Sequence, residues 1–185
     1  MRCTYTNVTH DIHFDQTRYQ QFLREQGLNE YAIKYLNIHF IHDFTLSHFR
    51  GSEELLASGT FFQRGKEYVE QENRTTRAFY RPVRPDSKYA AIFLRPKKCP
   101  TPYCFHHTLL HETGHHIQHC QNLPCCRSSP GNEVFASLEW KDQPWEIDAE
   151  KFAEDHVNQV SFLLSVPRPW KRSDLPPPMI RSDLQ

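Results

Sequence analysis

The 185-residue sequence contains no apolar stretch of the roughly 18 residues that a membrane-spanning helix needs. Residues 1–15, MRCTYTNVTHDIHFD, lack the apolar middle of a secretory signal. The expectation is a protein of the reducing cytoplasm with no membrane partner. Excess charge is missing as well, because 22 basic residues balance 22 acidic ones. A broad electrostatic grip on nucleic acid or an anionic surface is therefore not expected. Apolar residues are scarce at 38%, but 13% aromatics supply bulk for a core, which excludes disorder throughout. No internal repeat is present. The six cysteines read as thiols or metal ligands rather than a disulfide frame in that compartment.

What the sequence does have is histidine. Of 12 in all, His106, His107, His111, His115, His116 and His119 crowd one short segment. The length suits a single domain over residues 1–166, followed by a Pro-rich extended tail at 167–185. Asp15 is placed to cap a helix carrying Tyr19, Phe22 and Leu23, closed by Gly27. Residues 35–44 alternate as a strand, and Ser52 can start a short helix ended by Gly59. Residues 66–71 and 76–83 read as paired strands around a polar turn, and 89–96 as a third strand stopped by Pro96. A helix from about Phe105 to Gln121 carries the histidines, a short apolar segment falls at 133–140, and a long helix runs from Trp145 to about Ser165. Helix, then strands, then helices predicts an α+β fold with a short antiparallel or mixed sheet.

His111-Glu112-Thr113-Gly114-His115 reads HExxH. On a helix its two histidines lie about 40° apart on one face and one turn apart in height, so both imidazoles can meet one tetrahedral zinc. Glu112 lies about 100° around, where it can reach a metal-bound water as general base without itself ligating. Leu109, Leu110 and Ile117 fall on the opposite side and can pack on the domain. Gly114 sacrifices about 1 kcal/mol of helix propensity. A close backbone approach beside the site would explain it.

A third ligand is available downstream. Glu146 heads a helix stripe that continues through Ala149, Ala153, Val157, Val160 and Leu164. A carboxylate on such a buried face is costly unless it is paired or bound to a metal. Glu150, one turn on, is the other candidate, as ligand or as a partner that orients a liganding histidine. His119 sits about 12 Å of helix rise from His111, too far for the same ion.

The run FHHTLLHETGHHIQH followed by WEIDAEKFAED resembles the ImmA/IrrE-type metallopeptidases, a minimal gluzincin-like group. Their pattern is an HExxH helix and then a helix reading Glu-x-x-Ala-x-x-Phe-Ala, here Glu146, Ala149, Phe152 and Ala153. The resemblance covers about residues 89–165. It implies a small zincin-like domain with the HExxH helix packed on the C-terminal helix. It also implies zinc at His111, His115 and Glu146, with Glu112 as base, and proteolysis of an intracellular protein such as a repressor-like regulator. The strand AIFLRP looks like the family's cleft-lining edge strand, which would hold a peptide substrate by β-addition. Tyr80, Tyr89, Tyr103 and His107 stay open as oxyanion donors.

A second reading is a non-catalytic regulatory or interaction protein with a structural zinc. A third is a nucleic-acid-associated factor. Cys99, Cys104, Cys120 and the Cys125-Cys126 pair read as ordinary buried thiols, because the histidine helix separates them too widely for one second zinc site. Arg95, Lys97 and Lys98 read as solvated surface, and the aromatics at 61–62, 79–80 and 93 as core.

Overall fold

The computed structural model describes residues 1–6, 12–45, 48, 59–83, 88–121 and 138–164, with 59–66 and 140 described by backbone alone. Cys125-Cys126, the helix expected at Ser52, the apolar segment near 133–140 and the Pro-rich tail lie outside these residues. The fold is α+β, with a four-stranded mixed sheet and five α-helices among the described residues. In chain order these are β1 (Arg2–Thr6), α1 (Gln16–Glu25), α2 (Glu30–Lys34), β2 (Leu36–Ile41), α3 (Gly59–Thr75), β3 (Ala78–Arg81), β4 (Ala90–Leu94), α4 (Pro102–Cys120) and α5 (Pro144–Val157). No helix among the described residues is long and apolar enough to cross a membrane.

The sheet order is β1-β2-β4-β3. β1, β2 and β4 are parallel, whereas β3 joins β4 antiparallel, pairing Phe79 with Phe93. Alternation along β2 and β4 sends Leu36, Ile38, Phe40, Ala90, Ile92 and Leu94 to one face. There they bury against Tyr19, Phe22 and Leu23 of α1, Phe105 and Leu109 of α4, and Ala153 of α5. α1 forms as its sequence predicts: the Asp15 side chain accepts from Arg18 N–H at 2.9 Å, and Gly27 takes a φ of 83° after the helix.

Three expectations are corrected. Residues 66–71 are helical, inside α3. Their Lys, Glu and Gln are good helix formers, and the helix brings Tyr68, Glu72 and Thr75 along one side, into the main cleft. Strand 89–96 is not an edge, because β4 is flanked by β2 and β3 and buried throughout; among the described residues the outer strands of the sheet are β1 and β3. The C-terminal helix ends at Val157, short of Ser165. The chain turns there so that Phe162 enters an aromatic cluster with Phe14, Tyr19 and Phe22, while Leu164 is left 69% exposed.

His106, without an assigned role from sequence, secures that return. Its Nδ1–H donates to the Pro102 carbonyl at 2.7 Å, and its Nε2 accepts from the Phe162 N–H at 3.0 Å. Both bonds need the neutral ring, and burial lowers its pKa to about 4. His39 and His116 are likewise lowered to about 4, with burial the main cause. A histidine depressed in the fold binds protons more readily when unfolded, so its contribution is present above the unfolded pKa and is lost as pH falls. From pH 7 to about pH 5 the well-buried His106 and His116 should each cost about 2 kcal/mol of stability, and the more exposed His39 less. Urea unfolding at the two pH values should show that loss, and His106→Gln should shrink it by about one group's share. An unchanged pH dependence in the variant would contradict this role.

Candidate metal centre

α4 starts cleanly. Thr101 caps it by accepting from Cys104 N–H at 3.1 Å, and Pro102 occupies its first turn. One side of the helix carries Phe105, Leu109 and Leu110 into the core. A relay fixes its rotation: Tyr19 O–H donates to Thr113 Oγ1 at 2.7 Å, and Thr113 donates to the Leu109 carbonyl at 2.7 Å. His111 and His115 therefore face α5, with side chains only 12% and 16% exposed.

Gly114 sits between them at the contact with α5. A Cβ built there would lie 3.0 Å from the Cα of Ala149 and 3.2 Å from its Cβ. Glycine facing alanine lets the two backbones approach, and the approach delivers Glu146, in the first turn of α5, to the histidine pair. Gly114→Ala should destabilise the fold by about 1–3 kcal/mol through overpacking, despite alanine's better helix propensity. It should also weaken metal binding, because pushing α5 outward carries Glu146 away. Chelator-competition titration beside thermal unfolding checks both; unchanged metal affinity would show that the contact does not set the site.

Glu146 Oε2 lies 3.2 Å from His111 Nε2 and 3.3 Å from His115 Nε2. Ligand atoms of these three residues all fall within 4.8 Å of one another, so the group could hold a metal ion. Each imidazole is oriented from behind. His111 Nδ1 faces Glu150 Oε2 at 3.0 Å, and His115 Nδ1 faces Gln118 Oε1 at 3.1 Å. Gln118 is itself tied to the Trp145 carbonyl at 2.8 Å. Donation from each Nδ1 leaves both Nε2 lone pairs aimed at the shared point. Glu150 thus takes the orienting position rather than the ligating one, and also reaches His107 Nε2 at 3.4 Å.

Charges in the site are strongly coupled. Burial pulls the His111 and His115 pKa values down, but hydrogen bonds to Glu146 and the nearby Glu112 charge outweigh it and raise both. Burial raises Glu146, yet the two imidazoles hold its carboxyl below the usual range. Glu112 is buried at 7% exposure, and burial drives its pKa up. Its carboxyl accepts the backbone N–H of Tyr80, on the outer strand β3.

The group opens onto a cleft of about 1060 Å³ between α3, β3, α4 and α5. Of the four oxyanion-donor candidates, Tyr80 and His107 line it and Tyr89 and Tyr103 do not. The Tyr80 hydroxyl meets His116 Nδ1 at 3.2 Å. Tyr89 packs on Tyr35, and Tyr103 stacks on His107 and is 37% exposed. The sequence reading did not single out Tyr68, Arg77 or Trp145, which also line the cleft. The orienting role of Gln118 was overlooked too, although its spacing of three from His115 is that of helical neighbours.

Fold and site together define an α+β protein with a His-His-Glu group able to bind a metal ion. No family model, curated protein or solved structure matches the chain, so the site's own geometry carries the functional reading.

Proposed function

We propose that the chain is a zinc-dependent endopeptidase of the ImmA/IrrE type, acting on an intracellular, repressor-like or other regulatory protein. The observation that carries the reading is the convergence of two pre-oriented imidazoles and one buried carboxylate oxygen, with a second buried carboxyl, Glu112, beside them in an open cleft. Two imidazole nitrogens and one carboxylate oxygen suit zinc, and three protein ligands are the number of a catalytic rather than a structural site. Bound there, zinc would supply Lewis acidity and a water that ionises near neutral pH.

The chain's own residues do the rest. His111, His115 and Glu146 hold the ion, while Glu150 and Gln118 keep the rings aimed. Glu112 takes the proton of the attacking water and passes it to the leaving amine. Its raised pKa suits a group that must hold a proton between those two steps. The Tyr80 N–H fixes it in place. Ala78, Phe79 and Tyr80 line the cleft, so β3 would lie alongside a bound peptide substrate. Tyr80 and His107, which line the cleft, would serve as the oxyanion donors.

The direct test reconstitutes the purified protein with one equivalent of zinc and challenges it with a library of internally quenched peptides. Cleavage that chelation abolishes and zinc restores is expected. Glu146→Ala should lose both metal and cleavage. Stoichiometric zinc without any cleavage would instead favour the structural-zinc reading.

A further inference from the structure

Three tyrosine rings form a continuous row at the end of α2. Tyr31 and Tyr35 are one helical turn apart, and their ring centroids lie 4.5 Å from each other. The β2–β4 register aligns Leu36 with Ala90, and the Ala90 N–H donates to the Tyr35 carbonyl at 2.9 Å. Tyr89 is thereby brought beside Tyr35, with centroids 5.4 Å apart. Tyr31 is 65% exposed and Tyr89 40%. Exposed aromatics scattered singly are ordinary, whereas a contiguous row marks an interaction surface.

Two exposed lysines flank the row. The Lys34 ammonium lies 5.6 Å from the centre of the Tyr35 ring. The Lys88 ammonium lies 5.3 Å from that centre and 5.6 Å from the centre of Tyr89. Among the described residues neither ammonium meets a carboxylate, and Glu30, the acid of α2, is taken by Arg24 at 2.6 Å. Tyr31 and Tyr35 also wall a slot of about 260 Å³, lined as well by Val83, Ala90, Asn29 and His119. That volume suits one flat ring system rather than a larger ligand. The Asn29 Oδ1 accepts the Ala32 N–H at 2.9 Å. Its amide nitrogen and the His119 ring have no hydrogen-bond partner among the described residues.

We propose that this surface binds single-stranded nucleic acid, with one base in the slot, further bases stacked along the tyrosine row, and Lys34 and Lys88 on the phosphates. A single strand exposes the flat faces of its bases, which a duplex hides, and tyrosine rings stack on any of them. The Asn29 amide and the His119 ring can hydrogen-bond the edge of the base between them. Two unpaired cations match an anionic backbone. Charge balance over the whole chain excludes a broad electrostatic grip, but a stacking platform needs few charges. An acidic peptide would satisfy the lysines yet bring no base-like ring to the slot. The site uses neither the metal ligands nor Glu112, so it stands apart from the proposed peptidase function.

Fluorescence anisotropy of the full-length protein with a short labelled oligothymidylate at low salt is the test. A Kd of about 1–100 µM is expected. The same strand hybridised to oligodeoxyadenylate should bind at least about ten-fold more weakly. Tyr31→Ala should lose about ten-fold or more in affinity, and Tyr31→Phe should keep most of it. Lys34→Gln and Lys88→Gln should each flatten the slope of log affinity against log salt by about 0.7. All three side chains are exposed, so an unchanged melting curve in each variant separates a lost contact from a lost fold. Absence of binding up to about 100 µM protein overturns the proposal. So does duplex bound as tightly as single strand, or Tyr31→Ala at wild-type affinity. Displacement by polyglutamate as readily as by unlabelled oligothymidylate would reveal an acidic-peptide site and overturns it too.

Discussion

Glu112→Gln should lower peptide hydrolysis by roughly 10³-fold, the range for loss of a positioned general base, while leaving zinc content at one equivalent. Both halves follow from the geometry. Metal should be retained because His111, His115 and Glu146 and their supports Glu150 and Gln118 are untouched. The fold should be retained because glutamine keeps the shape, and its amide oxygen can still accept the Tyr80 N–H. Burial already favours the uncharged form of this side chain, so a neutral replacement adds no desolvation penalty. What disappears is the capacity to accept and return a proton. Measured beside Glu146→Ala, which should lose both metal and hydrolysis, the variant separates proton transfer from ligation. A Glu112→Gln enzyme with wild-type turnover would remove Glu112 from the reaction.

Arg95→Met should cost about 3–5 kcal/mol, because three backbone carbonyls lose a charged donor at about 1–3 kcal/mol each, and lower the melting temperature by about 10 °C or more. The sequence suggested a solvated surface cluster here, but Arg95 is 1% exposed. Its Nε donates to the His42 carbonyl at 3.1 Å, and Nη1 donates to the carbonyls of Asn73 and Thr76 at 2.9 and 3.0 Å. Nη2 pairs with Asp43, and the guanidinium lies over the Phe44 ring. One planar group thereby ties down the end of α3, the start of β3 and the turn after β2. Methionine would fill the space and leave three carbonyls without their donor. Arg95→Lys should rescue little, because an ammonium cannot reproduce the fork. Asp43→Asn should cost far less, because Asp43 is 42% exposed and water can replace the pair. Since β3 carries the Tyr80 N–H that holds Glu112, Arg95→Met should also depress hydrolysis below the melting transition. An Arg95→Met protein as stable as wild type would show that this network is dispensable.

Much of the site was legible because helical spacing is a local property. HExxH places His111 and His115 on one face, the apolar positions opposite predict which side packs, and a carboxylate heading an alanine stripe marks Glu146 as a buried partner. Gly114 was readable for the same reason: a glycine amid helix formers implies a close neighbour, and Ala149 is that neighbour. The sheet was legible only in part. Strand content appeared at 35–44 and 89–96 because alternation and β-branched or aromatic residues are local too. Strand order was not: β4, read as an edge, lies inside the sheet between β2 and β3. Residues 66–71 misled for a related reason: a short run with scattered apolar residues fits a strand or a helix, and the packing of α3 against the loop at Phe44 and against Arg95 decides between them. Asn73 completes that packing by bonding both the N–H and the carbonyl of Phe44, at 2.8 and 3.0 Å.

By itself, then, the sequence determined which residues share a helix face, and with that the two histidines, the neighbouring glutamate and the downstream carboxylate that converge. Tertiary structure alone decided that Glu146 points inward while Glu150 stands behind His111, that Gln118 orients His115, that β3 forms the lip of the cleft, and that Arg95 is interior. The reason is physical. Periodicity acts over one or two turns and is written in neighbouring positions, whereas strand order, helix crossing and the burial of a charged side chain depend on contacts between residues tens of positions apart.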